Sequence, residues 1–180
     1  MIERSIHPNT KTLLDAWKRM KANPSAHSAD GPNANDHPGL LESLFVIQHD
    51  EAARWTFRSI GTGVTSLLGR DMTGQNFCSL WTGPDRLMMD AFLESIRLDG
   101  APGVARARGE TLTGQRAELE VTFMPLAQSD AAPRMIGLYQ PLGGEAMLKG
   151  RPVWRHRINM LVPPDTHKKE PQLKLVANNS

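Results

Sequence analysis

Apolar residues recur at helical spacing near the start of the chain. One helix is predicted over residues 7–22, and its apolar stripe consists of Leu13, Leu14, Trp17 and Met20. A helix of this length is only marginally stable alone, so the stripe must be covered. Its cover is either the chain's own sheet or the same helix of a second copy.

Alternating apolar and polar residues predict five strands farther along the chain. The predicted strands are residues 43–48, 54–60, 103–110, 116–123 and 134–142. Between the second and third strands, apolar residues at helical spacing predict short helices, of which the longest spans residues 84–99. Strands that flank a helical segment in this way are typical of an α+β fold.

The third and fourth predicted strands form a hairpin whose register the sequence restricts. A three-residue loop at 112–114 places two pairs opposite each other, Arg108 with Glu118 and Arg106 with Glu120. A two-residue loop would instead place arginines opposite core positions. Because the charges and the apolar pattern agree on one alignment, the sequence predicts that register.

The composition fits one globular domain with appendages. The 180 residues are 39% hydrophobic and 22% charged. A single cysteine excludes an internal disulfide, and neither a signal peptide nor a membrane span is predicted, so we expect a cytoplasmic protein. The predicted parts are an N-terminal amphipathic helix (1–22), a polar loop (23–39), a domain (40–143) and a basic, partly disordered tail (144–180).

Three segments resemble the PAS domain family. They are IHPNTKTLLDAWKRM (6–20), RWTFRSIGTGVTSLLGRDMTGQ (54–75) and SLLGRDMTGQNFCSLW (66–81), and the resemblance covers residues 6–142. The opening His-Pro and the Trp-bearing helix narrow it to short, largely proteobacterial PAS-like proteins. It implies a five-stranded antiparallel sheet in the order 2-1-5-4-3, short helices on one face, a small apolar cavity and dimerisation through the helix before the sheet.

Two functional hypotheses from different classes follow. The first is a sensory or regulatory module of bacterial signal transduction that binds a small apolar ligand, a signalling partner, or both. The predicted lining residues of its cavity are Phe57, Phe77, Leu80, Leu87, Phe92, Leu119, Val121, Phe123 and Leu138. The second is an adaptor or localisation scaffold whose aromatic residues fill the core. Both include a homodimer through the N-terminal helix, and no catalytic motif indicates an enzyme.

Neither flavin nor haem is predicted as a cofactor, and no metal site is predicted. In the light-sensing branch of the family an Asn-Cys-Arg motif holds a cysteine under a flavin, but here Phe77 follows Asn76 and Cys78 comes one position late. We therefore interpret Cys78 as a buried packing residue. No histidine lies between His49 and His156 to bind haem iron from the helical side, and no histidine pair has zinc-type spacing.

Positive charge is concentrated in the tail. From Lys149 onward there are seven Lys or Arg residues and two Asp or Glu residues. One interpretation is that residues 153–162 fold back on the domain while the rest is disordered. The other is a recognition segment with Trp154 as the anchor, Arg155 and Arg157 beside it, and an acidic protein surface or a membrane face as the target. Nucleic acid is not favoured, because the charge is spread thinly.

Overall fold

The computed structural model describes residues 6–23, 39–126 and 132–164, which form one sheet with helices on both of its faces. The elements are α1 (Pro8–Ala22), β1 (Leu44–His49), β2 (Trp55–Ile60), α2 (Thr62–Leu68), α3 (Pro84–Asp99), β3 (Gly103–Glu110), β4 (Arg116–Pro125), β5 (Arg134–Gly143), α4 (Glu145–Leu148) and β6 (Arg155–Val162). A 3-10 turn, Phe77–Leu80, lies between α2 and α3. None of these described helices is long and apolar enough to span a bilayer.

The strands follow the order β2-β1-β5-β4-β3-β6, and every neighbouring pair is antiparallel. The predicted α+β class and the order of the first five strands are confirmed. The predicted number of strands is wrong, because β6 extends the sheet beyond β3. The folded domain therefore continues past residue 143, and residues 153–162 do fold back on it. Most of the predicted polar loop (24–38) and the rest of the tail (165–180) lie outside the described residues.

A β-bulge in β6 explains why the alternation of apolar and polar residues does not predict this strand. Arg106 lies opposite Met160, and Ala107 lies opposite Ile158. Asn159 is therefore an extra residue in β6. Before it the even-numbered residues face the helical side of the sheet, and after it the odd-numbered residues do. A strand whose alternation is interrupted in its middle does not show the simple period of two on which the prediction of strands rests.

The β3–β4 hairpin has the predicted register. Both predicted pairs lie opposite each other, Arg108 with Glu118 and Arg106 with Glu120. Gly114 in the loop has a φ of 87°, the left-handed conformation that a three-residue hairpin loop requires at this point.

The sheet separates two cores. The larger core lies between the sheet and the layer formed by α2, the 3-10 turn and α3. The smaller core lies under α1 and contains Leu13, Leu40, Met124 and Leu138. Because neighbouring residues of a strand face opposite sides, Tyr139 belongs to the larger core and Leu138 to the smaller one. The prediction that Leu138 lines a cavity on the helical side is therefore wrong.

The apolar stripe of α1 packs on the chain's own sheet, the first of its two predicted covers. Leu13 is buried in the smaller core, and Leu14 and Trp17 are partly buried against it. The Trp17 Nε1–H donates a hydrogen bond to the backbone oxygen of Pro125 over 2.8 Å. Met20 is 54% exposed. A second copy is thus not needed to cover the stripe, and the predicted homodimer stays a prediction.

The helix α3 has the predicted bounds, but one of its two predicted cavity residues lies outside its buried face. Its buried residues are Met89, Phe92, Leu93 and Ile96. Leu87, predicted to line the cavity, is 74% exposed. Apolar residues occupy more than one side of this helix, and only the observed set has the i, i+3, i+4, i+7 spacing of one continuous stripe.

Candidate functional site

An aromatic cluster fills the larger core at the place where the sequence predicts a cavity. The centroid of the Phe77 ring lies 5.4 Å from that of Phe45, 5.2 Å from Phe57, 5.4 Å from Phe123 and 5.0 Å from Trp81. All five side chains are buried. Such separations are those of aromatic rings in contact, so no ligand-sized space lies among these five rings.

Most of the predicted lining residues are brought together in this core. They are Phe57, Phe77, Leu80, Phe92, Leu119, Val121 and Phe123. The two exceptions are Leu87 and Leu138, and a ligand-binding role for the others stays a prediction. Sequence reasoning missed Phe45 and Trp81. The alternation of residues along β1 places Phe45 and Ile47 on one face of the sheet, and this pattern could have identified Phe45 as a core residue.

A glycine lets the cluster reach the backbone of the sheet. Gly137 in β5 lies opposite Phe45 in β1. A Cβ atom on Gly137 would be 2.1 Å from Cζ of Phe45, a distance that real Cβ atoms do not show. The phenyl ring therefore rests directly on the β5 backbone, as is typical of glycine at a close approach within a sheet.

A buried polar pair lies beside the aromatic cluster. The Tyr139 hydroxyl oxygen is 2.6 Å from Nε2 of His156, and Nδ1 of His156 is 3.3 Å from the backbone oxygen of Leu80. Because that carbonyl can only accept, we assign the imidazole proton to Nδ1, and the Tyr139 hydroxyl then donates to Nε2. The pair ties β5 and β6 to the 3-10 turn.

Burial keeps both members of this pair neutral. Burial lowers the pKa of His156 to about 4 and raises the pKa of the Tyr139 hydroxyl above its ordinary value. Neutral forms need no counter-ion in an apolar core, which suits this location. Sequence reasoning missed the role of His156, although its place between the outward-facing Arg155 and Arg157 indicates one inward side chain in a strand.

The stability of the protein is expected to fall as the pH drops from about 6.5 to about 4 because of His156. The unfolded chain restores the ordinary histidine pKa of about 6.5, so the unfolded state binds more protons in this range. The contribution of neutral His156 is complete above pH 6.5 and is lost at up to about 1.4 kcal/mol per pH unit as the pH falls. Urea unfolding at several pH values measures this slope.

Two variants separate His156 from the other titrating groups. A His156→Phe variant, or His156→Gln if the first does not fold, is expected to have a shallower slope between pH 6.5 and pH 4. A Leu87→Ala variant, which changes an exposed side chain without a titratable group, is the control and should keep the wild-type slope. A slope in the folded His156 variant equal to that of the wild type would contradict the assignment.

Cys78 is a buried packing residue, as predicted. Its Sγ atom lies 3.9 Å from Oδ1 of Asp90. Burial and the negative charge of Asp90 raise the pKa of the Cys78 thiol to about 12. The thiol stays protonated near neutral pH and is therefore a poor nucleophile.

The residues of the larger core do not fit a flavin or a haem. A flat ring system needs a slot between the sheet and the helices, and the Phe77 ring with its aromatic neighbours occupies that volume. Both imidazole nitrogens of His156 have partners, so this side chain is not available as an axial iron ligand. In residues 6–23, 39–126 and 132–164, no three His, Cys, Asp or Glu side chains meet as a metal site.

A buried carboxylate anchors the start of α1 to the other face of the sheet. Glu120 accepts hydrogen bonds from the His7 backbone N–H at 3.1 Å and from the Thr10 hydroxyl, and it forms an ion pair with Arg106 at 2.6 Å. A carboxylate at the first turn also interacts favourably with the helix dipole. Polar contacts therefore hold one end of α1, and the apolar stripe holds the rest.

The structure brings two of the three predicted recognition residues of the tail together, Trp154 and Arg155, and places Arg157 elsewhere. Trp154 is 50% exposed, and the Arg70 guanidinium lies over its ring, 5.1 Å from the centroid. Nε of Arg155 is 2.9 Å from Oε2 of Glu110. Arg157 lies farther along β6, on the side of the sheet that carries α1. A role of these residues in partner binding stays a prediction.

Trp154 and Arg155 line a groove of about 490 Å³ at one end of the sheet, which we call the Trp154 groove. Its other lining residues are Arg70, Ser79, Leu80, Thr82, Thr111 and Leu112. They come from the residue beyond the end of α2, the 3-10 turn and its exit, and the β3–β4 loop. Of these, only Leu80 is predicted as a site residue, and it is assigned to the cavity. The sequence does not group the others because only the fold brings their distant segments together.

Comparison with known proteins gives one family and a set of similar folds. A family model described as a PAS domain matches residues 5–140. A Rhodobacter sphaeroides LOV protein has a TM-score of 0.46 and 14% identity over 58% of this chain and 61% of that chain. The PAS domain of Bordetella pertussis BvgS has a TM-score of 0.44 and 14% identity, covering 64% and 90% of the two chains. No curated protein matches the chain.

Proposed function

The chain belongs to the PAS domain family, and we propose that it is a regulatory module of bacterial signal transduction that acts through its surface. It works in the cytoplasm, has no catalytic activity of its own and passes its output to a signalling partner. Of the two hypotheses drawn from the sequence, this is the adaptor form, in which the protein's own side chains fill the core.

The observation that carries this proposal is the position of the Phe77 ring. The ring touches four other aromatic rings in the middle of the larger core. A ligand at this place would have to displace the ring, and each aromatic pair contributes about 0.5–1.5 kcal/mol beyond its burial. Recognition at the surface needs no such rearrangement.

The ligand sensor is the second candidate, and one observation favours it. The Tyr139–His156 pair places polar groups beside the aromatic cluster, and a ligand site needs a few such groups among apolar ones. A homodimer through α1 is compatible with either candidate. It would use the part of the stripe that the sheet leaves exposed, chiefly Met20.

Protein purified without denaturation is expected to carry no small molecule. Native mass spectrometry should give the mass of the polypeptide alone, 19.9 kDa for each chain, and the absorbance spectrum should show only the protein band. The reason is that the aromatic rings already occupy the core.

A small molecule that co-purifies would count against the filled core, provided that it binds there. Leu119→Trp enlarges a buried side chain and is expected to destabilise the fold by about 1–3 kcal/mol, while Leu112→Trp enlarges an exposed one. Loss of the molecule in the first variant and its retention in the second would establish the ligand sensor instead.

A further inference from the structure

The Trp154 groove is built by segments that the fold holds in fixed positions. The Val153 backbone N–H donates to the backbone oxygen of Leu67, and the Trp154 backbone N–H donates to the backbone oxygen of Glu110, each over 2.8 Å. Val153 itself is buried. Two residues after Trp154, the buried His156 fixes the chain again. The half-exposed indole is therefore presented in one position and loses little freedom when a partner binds.

A close contact between two loops adds to this rigidity. Gly69, at the end of α2, lies against Pro152, and a Cβ atom there would be 2.5 Å from Cβ of Pro152. The contact sets Arg70 beside Trp154, so that the guanidinium covers the indole ring. Tryptophan and arginine are both enriched among the residues that contribute most to binding at the centre of protein interfaces.

The charges around the groove are mostly positive. Its lining residues include Arg70 and Arg155 and no carboxylate. Glu110, just behind the groove, lies within 3.4 Å of three arginines, which are Arg108, Arg116 and Arg155. One carboxylate thus faces three guanidinium groups. This end of the sheet attracts carboxylates from outside.

Apolar surface lies beside this charge. Leu112, at the tip of the β3–β4 loop, is 76% exposed, and Trp154 is 50% exposed. The Arg151 guanidinium donates to the Thr113 hydroxyl and so ties the loop to the chain before β6. Exposed apolar side chains on a tied loop, with arginines next to them, suit a ligand that has both an apolar side chain and negative charges.

We infer that the Trp154 groove binds a short acidic segment of a partner protein, with one apolar side chain against Trp154 and Leu112 and carboxylates at Arg70 and Arg155. This inference rests on the proposed function, for which it names the partner's chemistry. The groove is concave and holds only a few side chains, which suits a peptide better than a lipid surface.

Fluorescence anisotropy with a labelled probe peptide, Glu-Glu-Asp-Leu-Phe-Asp-Glu-Glu, tests the inference on the full chain. The peptide should bind, and added salt should weaken the binding. Trp154→Ala and Arg70→Glu should each weaken it about tenfold or more, as is typical of central interface residues. Arg58→Glu is the matched control, because Arg58 is exposed on β2, and it should change the affinity by less than about twofold.

The other outcomes overturn the inference. They are no binding of the peptide, equal binding by the Trp154→Ala and Arg70→Glu variants, and equal binding of a probe in which Ser-Gly replaces Leu-Phe. Tighter, Trp154-dependent binding of phosphatidylserine vesicles or of oligothymidylate would assign the groove to a membrane or to nucleic acid instead. Circular dichroism and the melting temperature show whether each variant is folded.

This test is independent of the test of the proposed function. If the protein has the mass of the bare polypeptide but does not bind the peptide, the filled core stands and the inference about the groove fails. If a small molecule co-purifies in the core while the peptide binds as expected, the adaptor proposal fails and the groove remains a docking site.

Discussion

Phe77→Ala is expected to lower the free energy of unfolding by about 3–5 kcal/mol. The Phe77 side chain is fully buried and touches four aromatic rings. Its removal leaves a cavity that rigid neighbouring rings cannot close, so both the transfer free energy and the ring contacts are lost. Urea unfolding of the wild type and the variant measures the difference.

The same variant tests whether the ring is what fills the core. Benzene or indole should raise the melting temperature of Phe77→Ala, because a dry apolar cavity of this kind binds such molecules. Neither should affect the wild type. The control is Leu87→Ala on the exposed side of α3, with an expected change within about 0.5 kcal/mol. A loss below about 1 kcal/mol in Phe77→Ala would mean that the cluster is loosely packed.

Glu120→Ala is expected to cost about 3–5 kcal/mol, as is typical when one partner of a buried ion pair is removed. The variant takes the carboxylate away from Arg106, whose side chain is 22% exposed, and the acceptor away from the His7 N–H and the Thr10 hydroxyl. The loss should be greatest at α1. Hydrogen exchange of residues 8–22 should accelerate more than that of β4 and β5.

Two further variants isolate the contribution of charge and of position. Glu120→Gln keeps an acceptor for the His7 N–H and should lie between wild type and Glu120→Ala. Glu118→Ala removes an exposed carboxylate of the same strand, which accepts a hydrogen bond from the exposed Asn159 amide. It should change stability by less than about 0.5 kcal/mol. Equal losses at both positions would rule out a special role for the buried carboxylate.

The parts of the fold that local patterns encode could be predicted. The register of β3 and β4 follows from arginines, glutamates and alanines at alternating positions of two adjacent strands. The bounds of α3 follow from Pro84 at its start and Gly100 after its end. In each case the relevant residues lie within one or two neighbouring elements, so the sequence pattern and the structure carry the same information.

The parts that depend on distant contacts could not be predicted. A bulge at Asn159 interrupts the alternation of β6, so the sequence pattern does not predict the sixth strand. Glu120 looks like a surface residue in an alternating strand, and only its contact with Thr10 shows why it is buried. The Trp154 groove likewise exists only after four segments have met.

The strand order has a consequence for how the chain reaches this structure. β1 pairs with β5 in the middle of the sheet, with Leu44 opposite Leu138. At about 5–20 residues per second, a ribosome needs on the order of ten seconds to add the residues between them. During that interval one edge of the β1–β2 hairpin has no partner strand, and such edges pair readily with other unfinished chains. The yield of folded protein in a cell therefore depends on this delay as well as on the final stability.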